Sequence, residues 1–301
     1  MTCTGEPQVS TTDADARALL VQGQVVEVCY NVQAAVDDQY KLIVATHTIN
    51  RNDRNALSEI AMEAKENLNA ERFQILVDKG YHNGNQIQQC TTANITTIVA
   101  YPVLVNTNET GTTKEYMVSE FAYKKQSDSY MCPQGATLTT KGTWHNKKEG
   151  DKIHFRFQQY RTPKCKTCPV KNLCTAQKGG RVIQRSEYAE AVEANAKRYK
   201  ENKELYKKRQ EINEHIFGTI KRKWGYNHTN LKGLKKVNGE MALIMTFYNM
   251  KRCITILGVR ELINKIKNWT PDYTRIPFSL IKTTTLNALC TTQNLNYKLA
   301  A

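Results

Sequence analysis

The sequence predicts an α/β protein. Three observations carry that prediction. Two runs rich in β-branched residues, 25–36 and 42–49, flank a polar turn; two further apolar runs of strand length lie at 73–77 and 95–101; and a segment of helical period, 56–68, separates the two pairs. Strand, strand, helix, strand, helix, strand is the order of a mixed sheet with helices packed on it.

Each element has a local reason. Residues 1–20 are polar, and Thr11-Thr12-Asp13-Ala14-Asp15-Ala16-Arg17 reads as a loop with helix-cap chemistry. Val25 opens a partly alternating strand that runs to Val36. Asp37-Asp38-Gln39 makes the turn, and 42–49 returns antiparallel to form a hairpin. In 56–68, Leu57, Ile60, Ala61, Ala64 and Leu68 fall on one helical face. Phe73-Gln74-Ile75-Leu76-Val77 suits a buried strand that stops at Asp78-Lys79-Gly80-Tyr81. A helix follows from Asn83, and the strand 95–101 is closed by Pro102.

From 103 to 185 the α/β pattern breaks. Cys132-Pro133-Gln134-Gly135 is followed by Cys165-Lys166-Thr167-Cys168-Pro169 and Cys174. A Cys-x2-Cys pair spans one edge of a tetrahedral thiolate site, and Cys132 and Cys174 complete four ligands for a structural Zn2+. Unligated reduced thiols and a remnant site that no longer binds are the other readings. Next comes a proline-free stretch, 187–222, dense in Ala, Glu, Lys and Arg, which reads as one long helix. On such a helix Glu214 and Lys221, seven apart, face the same way. The segment 237–257, heavy in apolar residues, reads as a helix buried against the sheet, and 269–301 as an irregular tail.

The 301 residues carry a formal charge of +15, which favours a polyanionic partner, most often nucleic acid. Between 197 and 236, thirteen Lys and Arg face four Glu. No apolar run is long enough for a membrane span, and Met1-Thr2-Cys3-Thr4-Gly5 does not open a signal peptide. A cytoplasmic protein is therefore expected.

The string Tyr206-x2-Arg209-x4-Glu214-x6-Lys221 resembles the C-terminal signature of DDE-type insertion-sequence transposases. Four residues separate Arg209 from Glu214, where the usual signature has three and some relatives four. Asp78-Lys79-Gly80-Tyr81 after a hydrophobic strand resembles the family's second aspartate motif. Tyr30-Asn31-Val32-Gln33-Ala34-Ala35-Val36-Asp37, with Leu42-Ile43-Val44, resembles the hairpin before it. The resemblance covers most of 12–255. It implies an RNase H-like mixed sheet with flanking helices, interrupted by a small Cys-rich, zinc-ribbon-like insertion. The domains it suggests are 1–104 (hairpin, helix and Asp78 strand), 105–185 (the insertion), 186–265 (the helical part with Glu214) and 266–301 (a tail).

The resemblance also implies an activity: metal-dependent cleavage and transfer of DNA strands. Asp78 and Glu214 would hold Mg2+ or Mn2+, Lys221 would work beside them, and Arg209, Lys221, Arg222 and Lys223 would bind DNA. The partners implied are element-end and target DNA in a bacterial cytoplasm, and either a second copy of the chain or a separate N-terminal polypeptide. The family's first aspartate stands on the central strand in an Asp-Gly-Thr context, and this sequence has no Asp-Gly-Thr. Asp15, in a loop, and Asp37, in a hairpin turn, are poor substitutes. The expectation is an N-terminally truncated copy whose central first strand is missing. Three readings stay open: a fragment inactive alone, an activity completed by a separate N-terminal polypeptide, and a basic DNA-binding or regulatory protein without catalysis.

Overall fold

A computed structural model describes residues 10–21, 25–101, 112–149 and 152–270. The expected closure of a strand at Pro102 and all but the start of the expected tail lie outside them. The chain divides into two compact units. The first comprises Met1–Ile75, Ala93–Thr96 and Glu204–Ala301; the second comprises Leu76–Thr92 and Thr97–Lys203.

The first unit is built on a hairpin, β3 (Asn31–Val36) and β4 (Ile43–Ile49), paired antiparallel with Val32 opposite Thr48 and Ala34 opposite Thr46. Alternation sends its side chains to two faces. Val32, Ala34 and Val36 pack against a core of Ile216, Ile220, Val237, Met241, Met245 and Tyr248. Ala35 and Ala45 pack instead on Ile60 and Ala64 of α1 (Leu57–Asn67). A register shift at Ala35/Val36 sets Ile43 opposite Val36 and places it in the first of these cores. Both faces of the hairpin are thus covered by helices.

The run read as one strand from 25 to 36 is two. β1 (Arg17–Val21), which begins where the expected loop Thr11–Arg17 ends, pairs with β2 (Val25–Cys29), and the chain leaves that ribbon at Tyr30 before entering β3. Leu20, Val26 and Val28 on the ribbon stay exposed. A β-branched run gives the strand, but only the buried face of β3 marks where a second sheet begins.

The long helix α6 (Leu234–Leu257) closes the outer edge of β4 with side chains. Asn249 accepts from Ile43 N at 2.8 Å and donates to Ile43 O at 2.8 Å; Asn238 accepts from Thr48 N at 2.9 Å; Arg252 donates to Tyr40 O at 2.6 Å. The outer edge of β3 pairs with no strand among the described residues. Gly258, at φ 77°, ends α6 in a conformation that costs a side chain dearly, and α7 (Val259–Lys267) follows at once.

The expected single mixed sheet is divided among the described residues. β5 (Phe73–Val77) pairs with β6 (Ile95–Val99) as a separate two-stranded sheet. In the second unit, α2 (Gly84–Thr92) packs with α4 (Ala189–Glu201). Asn195 of α4, fully buried, pairs with the backbone of Val99. The rest of the second unit, among the described residues, holds the short helix α3 (Lys171–Cys174) and two three-stranded sheets. β7 (Ala122–Lys124), β8 (Ser129–Met131) and β9 (Thr137–Thr139) form one; β10 (Trp144–Glu149), β11 (Lys152–Tyr160) and β12 (Ile183–Ser186) form the other. Phe121, Tyr130, Leu138, Tyr160 and Ile183 make their core. Among the described residues no helix is long and apolar enough to cross a membrane.

Candidate active site and nucleic-acid interface

Asp78 terminates β5. Val77 is buried and Asp78 exposed, so the strand leaves the protein interior at this carboxylate. Its Oδ1 accepts from Lys79 N at 2.7 Å, capping the single turn Lys79–Tyr81. The turn forms because Asp-Lys-Gly-Tyr offers a side-chain acceptor just where the strand's pairing stops. His82, at the end of the turn, is largely buried; burial holds its pKa below the usual histidine range, and its Nε2 has no hydrogen-bond partner.

Glu214 lies on α5 (Lys203–Phe217), which packs on the hairpin through Ile216 and so holds its own exposed carboxylate on a rigid element. Gln210 donates to Glu214 Oε1 at 2.8 Å. The neighbouring His215 shares a hydrogen bond of 2.8 Å with the Tyr248 hydroxyl. Asp78 belongs to the second unit, and Glu214 and Lys221 belong to the first.

The single helix expected over 187–222 is three elements: α4, α5 and a π-helical turn, Gly218–Lys223. At Asn202 the side-chain amide takes the Arg198 carbonyl at 2.8 Å, and the chain breaks there. At Thr219 the hydroxyl bonds the His215 carbonyl at 2.7 Å, while Trp224 N reaches back five residues to Thr219 O at 3.0 Å. Gly218 lowers the cost of leaving the regular helix. Lys221 therefore stands on this wider turn and not on the regular helix that carries Glu214, so the two are not seven positions along one α-helix as expected. Lys221 is exposed, with its Nζ 5.9 Å from the Phe217 ring centre, and Arg222 and Lys223 continue the exposed basic turn. Arg209, half-buried on α5, lies 5.2 Å from the Tyr206 ring centre.

Acids near the N-terminus have structural partners. Asp13 accepts from Tyr30 OH at 2.7 Å and Gly233 N at 3.1 Å, and Asp15 accepts from Leu234 N at 2.9 Å. Together they cap α6, whose first N–H groups would otherwise lack partners. Desolvation raises the Asp13 pKa, but the hydrogen bonds it accepts outweigh this and hold it low. Asp37 accepts from Gln39 N and Tyr40 N, fixing the hairpin turn. Sequence reasoning gave Asp15 a loop and Asp37 a turn; it had no signal for the capping of a helix more than 200 residues away.

Glu240 is the acid that sequence reasoning missed. It accepts from the Tyr226 hydroxyl, from Asn230 N at 2.8 Å and Nδ2 at 3.0 Å, and from Leu231 N at 2.9 Å. These bonds overcome its partial desolvation and pull its pKa down to about 2. The basic loop after the π-turn is therefore tied to α6 through one carboxylate.

Cys132, Cys165, Cys168 and Cys174 are partly buried, unpaired thiols in the second unit. Cys132 and Cys174 pack against the same aromatic core. Cys132 begins a turn in which Ala136 N donates to its Sγ at 3.2 Å, and Gly135 takes φ 76°. Burial pushes the Cys174 thiol up; Arg181 opposes this, and Cys165, Cys132 and Cys168 add to the rise. Among the described residues, no group of three or more His, Cys, Asp or Glu is arranged to hold a metal ion. What the site residues offer a cation is the exposed carboxylate oxygens of Asp78 and Glu214, each on its own element, and oxygen is the donor that Mg2+ and Mn2+ take.

No curated protein and no solved structure matches the chain. Residues 131–254, the span that holds the four cysteines, Glu214, Lys221 and Glu240, match the family model described as a transposase DDE domain.

Proposed function

We propose that the chain takes part in DNA transposition by metal-dependent phosphoryl transfer, with Asp78 and Glu214 as two of its three carboxylates. The family match over the Glu214 helix carries this reading. Mg2+ or Mn2+, when bound, would neutralise charge on the attacking and leaving oxygens. The protein's part is to hold carboxylates toward those ions and cations toward the DNA. Water adds to the phosphorus at the element end; the P–O3′ bond breaks, leaving a 3′-OH on the element and a 5′-phosphate on the flank. That 3′-OH then attacks a target phosphodiester and displaces its 3′-oxygen. Arg209, Lys221, Arg222 and Lys223 grip phosphates, contacts that weaken steeply with salt.

The third carboxylate, in this reading, arrives on a strand from outside these 301 residues and pairs along the outer edge of β3. Support comes from the edge itself, which no strand among the described residues pairs, from the closure of the opposite edge by α6, and from the structural engagement of Asp13, Asp15 and Asp37. An exposed strand edge of this kind is a template for pairing. Cys132, Cys165, Cys168 and Cys174 are assigned to one structural Zn2+. Purified protein is then expected to carry about one zinc per chain by elemental analysis, and the Cys165→Ser, Cys168→Ser variant to carry none.

A second reading, a DNA-binding or regulatory protein without catalysis, is favoured by the lack of an Asp-Gly-Thr and of a three-acid cluster among the described residues. Strand cleavage and joining on element-end DNA with Mg2+ or Mn2+ separates the two. The assay compares the chain alone, the chain with an N-terminal segment bearing the first aspartate, and the same mixture with Glu214→Gln. Activity that needs the added segment and is lost in the variant supports the split site. Salt-sensitive DNA binding with no cleavage in any mixture leaves the regulatory reading.

A further inference from the structure

Positive charge gathers a second time, in the second unit. Between 141 and 185, twelve Lys and Arg stand against two acids, Glu149 and Asp151, a net excess as dense as that of 197–236. At its centre is the hairpin of β10 and β11. β12 pairs with β11 only from Phe157 to Tyr160, so the far part of the hairpin, Lys147–Glu149 against Lys152–Phe155, is a two-stranded ribbon. Trp144, His145, Asn146, Lys147 and Lys148 are all exposed, and since side chains alternate along a strand, both faces of β10 are open among the described residues. A two-stranded ribbon on its own is marginally stable in water, and this one takes little support from the core beneath it.

We propose that this ribbon is a second nucleic-acid surface, which enters the major groove of duplex DNA with Lys147 and Lys148 on the phosphates and Asn146 and Arg156 toward the base edges. Among the described residues, the cations of this span that meet a carboxylate are Arg156, with Glu187 at 2.9 Å, and Arg185, with Glu193. The lysines of the ribbon are exposed, as are Lys164 and Lys166 on the turn Pro163–Lys166 that follows β11. Asn146 stands directly opposite Arg156 on the face of Trp144, and Glu187 fixes the guanidinium there. An amide beside a guanidinium is a set of donors and an acceptor that base edges in the major groove can match.

The shape selects among nucleic acids. The major groove of B-form DNA admits a two-stranded ribbon, whereas that of an RNA helix is too deep and narrow for side chains to read. A single strand is held by stacking successive bases on aromatic rings. On the ribbon Trp144 is 47 % exposed, but Arg156 lies 5.6 Å from its ring centre, and Phe157 is buried. The surface belongs to the second unit, while Arg209, Lys221, Arg222 and Lys223 belong to the first. It therefore does not rest on the catalytic reading, and it holds equally for a regulatory protein.

The test is fluorescence anisotropy of the full chain on a short mixed-sequence DNA duplex over a salt series. Lys147→Ala with Lys148→Ala should leave circular dichroism unchanged and lower the magnitude of the slope of log affinity against log salt by about 2. An unchanged slope overturns the proposal, as does a larger loss on single-stranded DNA or duplex RNA than on duplex DNA. Lysine acetylation of the unmodified protein, read by mass spectrometry, gives a result that no variant's folding can disturb. Lys147 and Lys148 should be protected by the duplex at low salt and react again at high salt. Their continued reactivity while Lys221 and Lys223 are protected confines DNA to the first unit and overturns this inference alone. A chain that binds no duplex overturns both it and the proposed function.

Discussion

Asn195 and Asn249 act as single-residue strands. Each presents one amide donor and one acceptor to a β-residue's backbone, as a neighbouring strand would, Asn195 to Val99 and Asn249 to Ile43. Asn195 is fully buried and also accepts from the Thr97 hydroxyl at 3.2 Å. Its removal strands a buried N–H and a buried C=O, at about 1–3 kcal/mol for each group. Asn195→Ala is therefore expected to lose about 2–4 kcal/mol in urea denaturation, and a loss below about 1 kcal/mol would show that water replaces the amide. Glu240 gives a pH signature. Its folded pKa, about 2, lies below the ordinary 4.5, so its bonds stabilise fully above pH 4.5 and are lost as pH falls from there toward 2. The melting temperature of the parent should fall more steeply across that window than that of Glu240→Gln; equal slopes would rule out Glu240 as the group responsible. Neither Asn195 nor Glu240 was legible in the sequence. An Asn or Glu at a helical position reads as solvated surface unless its distant backbone partner is known.

At the scale of elements, the sequence was most legible where hydrophobic period and burial coincide. Helix α1, expected at 56–68, spans Leu57–Asn67, and β5 lies at Phe73–Val77 as expected. It was least legible where two elements share one composition. The charged stretch 187–222 satisfies helical period throughout, yet Asn202 and Thr219 divide it through local side-chain bonds that period does not register. The apolar segment at 237–257 was expected to be buried, and among the described residues only one of its faces is covered. Closure of β4 by Asn238, Asn249 and Arg252 also carries an expectation. Asn249→Leu keeps the bulk but removes both bonds to Ile43, so the Ile43 amide should exchange with solvent at least tenfold faster in a hydrogen-exchange measurement. Unchanged protection would mean that the helix shields the edge by packing alone.

For the whole molecule, charge makes the broadest expectation. Each phosphate neutralised contributes about −0.9 to the slope of log affinity against log salt, so Arg222→Ala with Lys223→Ala should lower the magnitude of that slope by about 2. An unchanged slope would remove the π-turn from the DNA interface. The sequence by itself determined the α/β class, the hairpin, the clustering of positive charge, and the Asp78 and Glu214 motifs, because composition and short-range period are properties of neighbouring residues. Tertiary structure alone decided that Asp13 and Asp15 cap α6, that Glu240 ties down the basic loop, and that, among the described residues, one edge of the hairpin is closed and the other unpaired and α6 carries a second apolar face without cover. Those facts depend on which backbone groups meet after collapse, and a hydrogen bond between residues 200 apart leaves no periodic trace in the chain that forms it.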